Sequence, residues 1–193
     1  MATRIPITFF APAEREPIEV VRRQIDRLGQ TPLTRTILHA SLNYLLVLNA
    51  RRQIVMASEN VLDLVPGKTM NELVGLRPGE ALGCIHAYEC ASGCGTSQFC
   101  RQCGTVQVIL SGLDGHRSMQ ECRLTRVIQG REASLELLVL ATPLVQDNER
   151  YTLLTVAKVT HEQQLKNGPS TRVVHSPGKT PNPPPRRSRG TAR

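Results

Sequence analysis

The sequence predicts an α+β domain built on one five-stranded antiparallel sheet. Two amphipathic helical stretches come first, followed by two short apolar stretches, a helical middle region and three longer extended stretches. Turn-forming residues stand between neighbouring strands at hairpin distance, which favours antiparallel pairing. With 193 residues, 40% of them hydrophobic, the chain is long enough for one ordinary core.

Residues 1–42 form the predicted N-terminal helical segment. The apolar residues of its first helix recur at helical spacing and are Ile18, Val21, Ile25 and Leu28. Gly29 ends this helix, and Thr31 as N-cap with Pro32 in the first turn begins the second. The second helix is expected to turn three residues inward, namely Leu33, Ile37 and Leu38.

The first two strands are predicted at residues 44–49 and 53–57, joined by a turn at 49–52. Ser58 can cap a short helix that runs through Leu64 and stops at Pro66 and Gly67. The second half of the chain contains a predicted helix at 105–113. Three strands follow at 117–127, 133–145 and 151–159, with turns at 130–131 and 146–148.

The N-terminus has no hydrophobic region of signal-peptide length, and no stretch approaches the roughly 20 apolar residues of a membrane span. We therefore expect a cytoplasmic protein without membrane contact. Thiols stay reduced in that compartment, where clustered cysteines more often bind metal or carry redox chemistry than form structural disulfides.

Most of the net charge of +8 lies at the C-terminal end. Residues 166–193 contain seven basic residues, no acidic residue and six of the thirteen prolines. Such a composition predicts a disordered, basic, Pro-rich tail. Nucleic acid is a possible partner of this tail, but no aromatic residue interrupts the basic ones, so a solvated terminus is favoured.

The order of elements resembles the PAS fold, the small sensor domain of bacterial signalling proteins. The resemblance is carried by residues 46–49, 53–60, 72–80 and 154–162, and it covers about residues 43–163. It implies a PAS domain over residues 43–165, with helices covering one face of its sheet.

Three further segments resemble a cysteine-bearing PAS subgroup that is often found ahead of histidine kinases. They are residues 83–87, 93–97 and 100–104, and they lie within a cysteine-rich insert at 82–104. The family's closing strand usually carries Asp where this chain has Lys158. No kinase or DNA-binding domain fits beyond residue 166, so the resemblance implies that a signal is passed to a separate partner.

Five of the six cysteines fall within twenty residues of one another. In the PAS topology this stretch lies against the sheet. Cysteines that are close together in the sequence can converge there on one centre. The predicted ligands of that centre are Cys84, Cys94, Cys100 and Cys103, with Cys90 and His86 in reserve. Gly93 and Gly95 let the backbone turn around the centre, and Gly104 relaxes the step into the next helix. Cys122, on a strand, is predicted to be a small buried apolar residue.

Four thiolates suit either a zinc ion in a closed tetrahedral site or an iron–sulfur cluster. The spacing leaves this choice open, because Cys100 and Cys103 form the only C-x2-C pair. A thiol–disulfide switch is the third possibility. No nucleophile stands at a recognisable distance from a base, so we expect no enzymatic activity.

The favoured function is a sensor of redox state or oxygen that signals to a partner such as a histidine kinase or regulator, in the manner of a two-component system. The N-terminal helical segment is the expected site of dimerisation or docking. One alternative is a nucleic-acid-associated regulator with a structural zinc and a basic binding tail. Another is a degenerate PAS domain that serves only as a dimerisation scaffold.

Overall fold

Five antiparallel strands form a single sheet, as a computed structural model of the chain shows. The structure describes residues 7–30, 32–128 and 130–159. The strands are β1 (Tyr44–Asn49), β2 (Ile54–Ala57), β3 (Ser118–Ile128), β4 (Arg131–Gln146) and β5 (Glu149–Lys158). Their order across the sheet is β2-β1-β5-β4-β3. The predicted Thr31 cap, the end of the closing stretch beyond residue 159 and the tail at 166–193 lie outside the described residues.

Within these described ranges, five α-helices accompany the sheet: α1 (Ile18–Gly29), α2 (Pro32–Ala40), α3 (Met70–Leu73), α4 (Pro78–Leu82) and α5 (Gly104–Leu113). The short helix predicted after Ser58 is a 3₁₀ helix, Glu59–Leu64. The predicted α+β class with a PAS-like antiparallel sheet is confirmed, and the strands and the long middle helix begin and end within a few residues of the predicted positions.

The main core lies between one face of the sheet and the helices of the middle region. Val108 and Ile109 of α5 are buried in the same cluster as Val139 of β4 and Leu154 of β5. A Cβ atom at Gly112 of α5 would stand 2.8 Å from a Thr152 methyl group, so only a glycine allows the helix to lie this close to the sheet. This close packing holds the C-terminal turn of α5 against the sheet.

Helix α1 packs on the opposite face of the sheet. Val21 and Leu28 of this helix are fully buried in a second cluster with Val47, Val55 and Tyr151. Three of the four apolar residues predicted from helical spacing, Val21, Ile25 and Leu28, therefore pack in the core of the same chain, whereas Ile18 is 40% exposed. Docking through this segment, which stays a prediction, would have to use its outer side.

Helix α2 departs from the sequence-based expectation. Leu38 is buried, but Leu33 and Ile37 are 63% and 48% exposed. The prediction that all three face inward was wrong, because this nine-residue helix packs against α1 through one narrow side.

Two polar turns set the register of the sheet. The buried Asn49 accepts hydrogen bonds at Oδ1 from the backbone N–H groups of Arg51 and Gln53, each at 3.0 Å, and so closes the β1–β2 turn. Asp147 and Asn148 both have positive φ, 51° and 60°, as a two-residue type I′ hairpin requires. Both turns lie where the sequence predicted them.

Glu149, at the start of β5, joins this second turn to α1. Its carboxylate accepts hydrogen bonds from Tyr151 at 2.8 Å and Gln24 at 3.0 Å, and it pairs with Arg27 at 2.7 Å. The bond from Tyr151, then that from Gln24 and the charge of Arg27, lower the pKa of Glu149 below its ordinary value. A lowered pKa in the folded state means that this stabilisation is present above the unfolded pKa and is lost as the pH falls through the folded value.

We expect Glu149→Gln to lower the free energy of unfolding by about 1 kcal/mol at neutral pH, since the carboxylate is partly exposed. The difference from wild type should shrink as the pH falls below the ordinary glutamate pKa of about 4.3, and it should disappear once the native carboxylate, whose pKa is lower, is protonated too. Urea unfolding followed by circular dichroism across this range measures both effects. Glu132→Gln, at an exposed position of β4, is the matched control. Equal pH dependence in the two variants would contradict the assigned role of Glu149.

Candidate cysteine centre

Five of the six cysteines line one cavity between the sheet and the middle region. The cavity has a volume of about 250 Å³, and its cysteines are Cys84, Cys94, Cys100, Cys103 and Cys122. Its walls are the first turn of α4, the segment that leads into α5, and β3. All four predicted ligands are therefore brought to the same space, together with a fifth thiol that the sequence did not assign to it.

Cys103 and Cys122 form the closest contact within this group. Their Sγ atoms lie 3.8 Å apart, although the residues are 19 positions apart in the chain. Hydrogen bonding with Cys103 lowers the pKa of Cys122, and the side chain and backbone of Thr105 act in the same direction. The same contact, together with burial, raises the pKa of Cys103. The contact therefore couples the two thiols, and the Cys122 thiol ionises more readily than the Cys103 thiol.

Cys94 packs directly on the backbone of α4. A Cβ atom at Gly79 would stand 2.7 Å from the Sγ atom of Cys94 and 3.4 Å from the Cβ atom of Cys84. Burial raises the pKa of Cys94 to about 12, while hydrogen bonding from the backbone of Gly79 acts in the opposite direction. Gly79 thus allows two cysteines to approach one turn of helix.

Backbone groups also face the other cavity thiols. Burial raises the pKa of Cys84, and hydrogen bonds from the backbone of His86 and Ala87 oppose this rise. Burial likewise raises the pKa of Cys100, against hydrogen bonds from the backbone of Gly95 and Ser97. Amide donors around buried sulfurs favour the thiolate form that binds metal.

Glycine shapes the loop that carries these thiols. Gly93 and Gly95 have φ angles of 82° and 92°, the left-handed region that glycine adopts without strain, as predicted. Gly104 serves another purpose, since a Cβ atom there would lie 2.3 Å from the carbonyl oxygen of Glu121. It allows the start of α5 to touch β3, which brings Cys103 to Cys122; the prediction of a relaxed helix entry misses this role.

The guanidinium of Arg77 holds the loop in place. This residue is fully buried and donates to the carbonyl oxygens of Ser92 at 3.0 Å and Cys94 at 3.2 Å. It also donates to those of Ala13 and Glu14 in the N-terminal segment and of Arg51 in the β1–β2 turn. Burial, with the charges of Arg52 and Arg15, lowers the pKa of Arg77 to about 10, so it stays charged at neutral pH. Three separate segments are thus joined through one side chain.

Arg52 brings a second buried positive charge to the same region. It is 3% exposed, and it donates to the carbonyl oxygen of Pro12 at 2.6 Å. Its Nε atom has no hydrogen-bond partner in the part of the chain that the structure describes. Burial lowers the pKa of Arg52, and the nearby Cys94 acts against this effect. A negative charge in the cavity would therefore be stabilised by Arg52.

Glu80 of α4 supplies a negative charge next to the buried Arg77. Its carboxylate pairs with Arg15 and accepts hydrogen bonds from the backbone N–H groups of Arg77 at 2.9 Å and Cys94 at 3.0 Å. With Arg15 paired to this carboxylate, Arg52 and Arg77 rely mainly on backbone carbonyls.

The two reserve ligands have different positions. His86 lines the cavity, but its Nδ1 atom lies 2.7 Å from Glu89 and its ring stacks on Phe99 at 4.6 Å between centroids. Cys90 lies in a separate surface groove, beside Lys68 and Glu80. His86 is therefore near the five thiols, whereas Cys90 is apart from them.

The spacing of the sulfurs bears on which group could fit. Four thiolates around one zinc ion, each about 2.3 Å from the metal, have sulfur–sulfur distances of about 3.8 Å. Within residues 7–30, 32–128 and 130–159, no three His, Cys, Asp or Glu side chains converge closely enough for a single ion. The cysteines instead surround a cavity of about 250 Å³.

Sequence reasoning missed Cys122, Arg52 and Arg77. The alternation of β3 could have placed Cys122 on the same face as Leu124, which is buried in the main core. The two arginines carried no sequence signal, because nothing in a single chain distinguishes a buried arginine from a solvated one.

No helix among the described residues is both long and apolar enough to cross a membrane. No protein-family model and no curated protein matches the chain.

Among solved structures, the chain is similar to the PAS domain of nitrogen regulation protein NR(II) from Vibrio parahaemolyticus, with 19% identity and a TM-score of 0.43 over 67% of this chain and 100% of that one. It is also similar to the PAS domain of an HTR-like protein from Haloarcula marismortui, with 15% identity and a TM-score of 0.43 over 68% and 98% of the two chains. The chain is also similar to the Rhodobacter sphaeroides LOV protein, with 14% identity and a TM-score of 0.47 over 72% of this chain and 69% of that one. These likenesses concern the fold.

We expect Arg77→Lys to destabilise the protein by about 3 kcal/mol or more, because a buried ammonium cannot reach the carbonyls that the guanidinium joins. Residues 90–100 should then become sensitive to limited proteolysis. Arg51→Lys, which alters only a half-exposed ion pair with Glu16, should cost less than about 1 kcal/mol. Losses of similar size in the two variants would contradict the role assigned to Arg77.

Proposed function

We propose that this protein is a PAS-type sensor whose cysteine cavity binds an iron–sulfur cluster and whose sheet passes the state of that site to a partner protein. The observation that carries the proposal is the convergence of five thiols on one cavity of about 250 Å³. Four come from the segment before α5 and one, Cys122, comes from the sheet itself.

Four of the five cavity thiols would hold the cluster, which supplies one-electron redox chemistry and sensitivity to oxygen when bound. The ligands predicted from sequence remain the first set to test, and Cys122 is the additional candidate. Arg52 would compensate the negative charge of thiolates and cluster, since it is buried near Cys94 and its Nε atom has no hydrogen-bond partner among the described residues. The N-terminus of α5, which begins directly after Cys103, adds a favourable dipole.

Two contacts with β3 provide a route by which the site can act on the sheet. Cys122 belongs to this strand, and Cys84 forms an isolated bridge with Arg126 of the same strand. A change in charge or ligation at these cysteines would shift β3 relative to α5. β3 pairs along its whole length with β4, which pairs with β5, so the displacement would reach the end of the domain. A signalling protein that reads this surface is the proposed partner.

Zinc is the weaker choice because no single-ion site is preformed among the described residues. Protein purified without oxygen should contain iron and acid-labile sulfide in equal amounts and show visible absorption that bleaches in air. Cys84→Ser and Cys94→Ser should lose most of the iron, whereas Cys90→Ser, outside the cavity, should retain it. Colourless protein with one zinc per chain would contradict the proposal.

Gly79→Ala provides an independent test that leaves every cysteine in place. The new methyl group would overlap the Sγ atom of Cys94, so we expect at least a tenfold loss of bound iron with the secondary structure retained. Gly29→Ala is the matched control, because a Cβ atom in that helix would be 3.5 Å from its nearest neighbour, Arg35. Wild-type iron content in Gly79→Ala would show that Cys94 is not a ligand.

A further inference from the structure

The contact between Cys103 and Cys122 has a second chemical consequence. Their Sγ atoms are 3.8 Å apart, which is van der Waals contact between two sulfurs. The backbones that carry them are also adjacent, since a Cβ atom at Gly104 would lie 2.3 Å from the carbonyl oxygen of Glu121. Two cysteines on neighbouring backbones with touching sulfurs can form a disulfide after a small rotation of their side chains.

Access to these sulfurs is through the cavity itself. Cys103 is half-buried and Cys122 is 6% exposed, yet both line the cavity. Phe99 on the same wall is 50% exposed, so the cavity borders solvent. A small oxidant can therefore reach the sulfurs without unfolding of the core.

We propose that Cys103 and Cys122 are a site of reversible oxidation that closes to a disulfide when a small hydroperoxide enters the cavity. The thiolate of one cysteine attacks a peroxide oxygen, the O–O bond breaks, and hydroxide leaves with a sulfenic acid formed on the protein. The thiol of the other cysteine then attacks the sulfenic sulfur, and water leaves as the S–S bond forms. The two cysteines lose two electrons in total, and one hydrogen peroxide is reduced to water and hydroxide.

This disulfide would exclude the cluster of the proposed function. Any four of the five cavity thiols include Cys103, Cys122 or both, and oxidation of the pair leaves only Cys84, Cys94 and Cys100. Three thiols are too few for a four-thiolate site. The oxidised pair would also fix the start of α5 to β3, while the reduced pair leaves both thiols available. This exclusion rests on the proposed function; formation of the disulfide does not.

The sequence allows a direct test by peptide mapping. Trypsin cleavage after Arg101, Arg117 and Arg123 places Cys103 alone in peptide 102–117 and Cys122 alone in peptide 118–123. The other four cysteines remain together in peptide 69–101, because Arg77 precedes a proline. Metal-free, reduced full-length protein is treated with hydrogen peroxide, its remaining thiols are alkylated, and the digest is analysed by mass spectrometry.

The expected product is a cross-link between peptides 102–117 and 118–123 that forms at least tenfold faster than any other and disappears on addition of dithiothreitol. The same treatment in guanidinium chloride should give mixed pairings, since the folded structure selects the pair. Cys90→Ser should leave the cross-link unchanged, and Cys122→Ser should abolish it without creating a new one. A dominant cross-link to peptide 69–101, or no disulfide at all, would overturn the proposal.

A second measurement distinguishes formation of the disulfide from binding of the cluster. Iron and sulfide are added under anaerobic conditions to reduced protein, to peroxide-treated protein, and to treated protein restored with dithiothreitol. We expect loading to fall at least tenfold in the treated sample and to return after reduction. If the cross-link forms but the reduced protein binds no iron, the disulfide stands and the proposed cluster fails. If treated protein loads iron like the reduced protein while the cross-link is intact, the exclusion is overturned.

Discussion

The structure depends on a single buried guanidinium. Arg77 stands immediately before α4 and binds carbonyl oxygens from the N-terminal segment, the β1–β2 turn and the cysteine loop. A buried charge without such partners would be strongly unfavourable, so the three segments must come together for Arg77 to be buried at all. The cysteine loop has little regular structure of its own, and this one side chain fixes its path. Because Cys94, whose carbonyl oxygen Arg77 binds, lines the cavity, the same constraint helps to place this thiol.

The surroundings of Arg77 also determine the charge of the cavity. Arg52 is buried nearby, and no residue that the structure describes accepts a hydrogen bond from its Nε atom, while Glu80 binds Arg15 and two backbone N–H groups. The region thus holds buried positive charge next to thiols whose own pKa values are mostly raised by burial. Binding a metal group between the ionised thiols would offset the cost of burying these thiolates, because they would gain metal bonds. It would also give the buried arginines a negative neighbour.

Much of the fold could be predicted from the sequence because its signals are local. Helical spacing in α1, the apolar strands and the turn chemistry at Asn49 and Asn148 each depend on a few adjacent residues. The same reasoning failed for Leu33 and Ile37 of α2, since apolar spacing predicts which side of a helix would be buried but not whether anything packs against it. For the site, the glycine-framed cysteines were predicted together because they are close in sequence. Cys122 was not, because its place in the cavity depends on Gly104 touching β3, a contact between distant parts of the chain.

The position of Cys122 on β3 connects the cysteine site to the sheet. Four cysteines in a surface loop could bind a metal without any effect on the sheet, as a purely structural clip does. A fifth cysteine on β3, 3.8 Å from the last cysteine of the loop, makes the sheet part of the site. Metal binding by these two sulfurs, or a disulfide between them, would act directly on the step from the cysteine loop into α5 and on β3. Because α5 also packs closely against Thr152 of β5, a shift of this helix would bear on β5 as well as on β3.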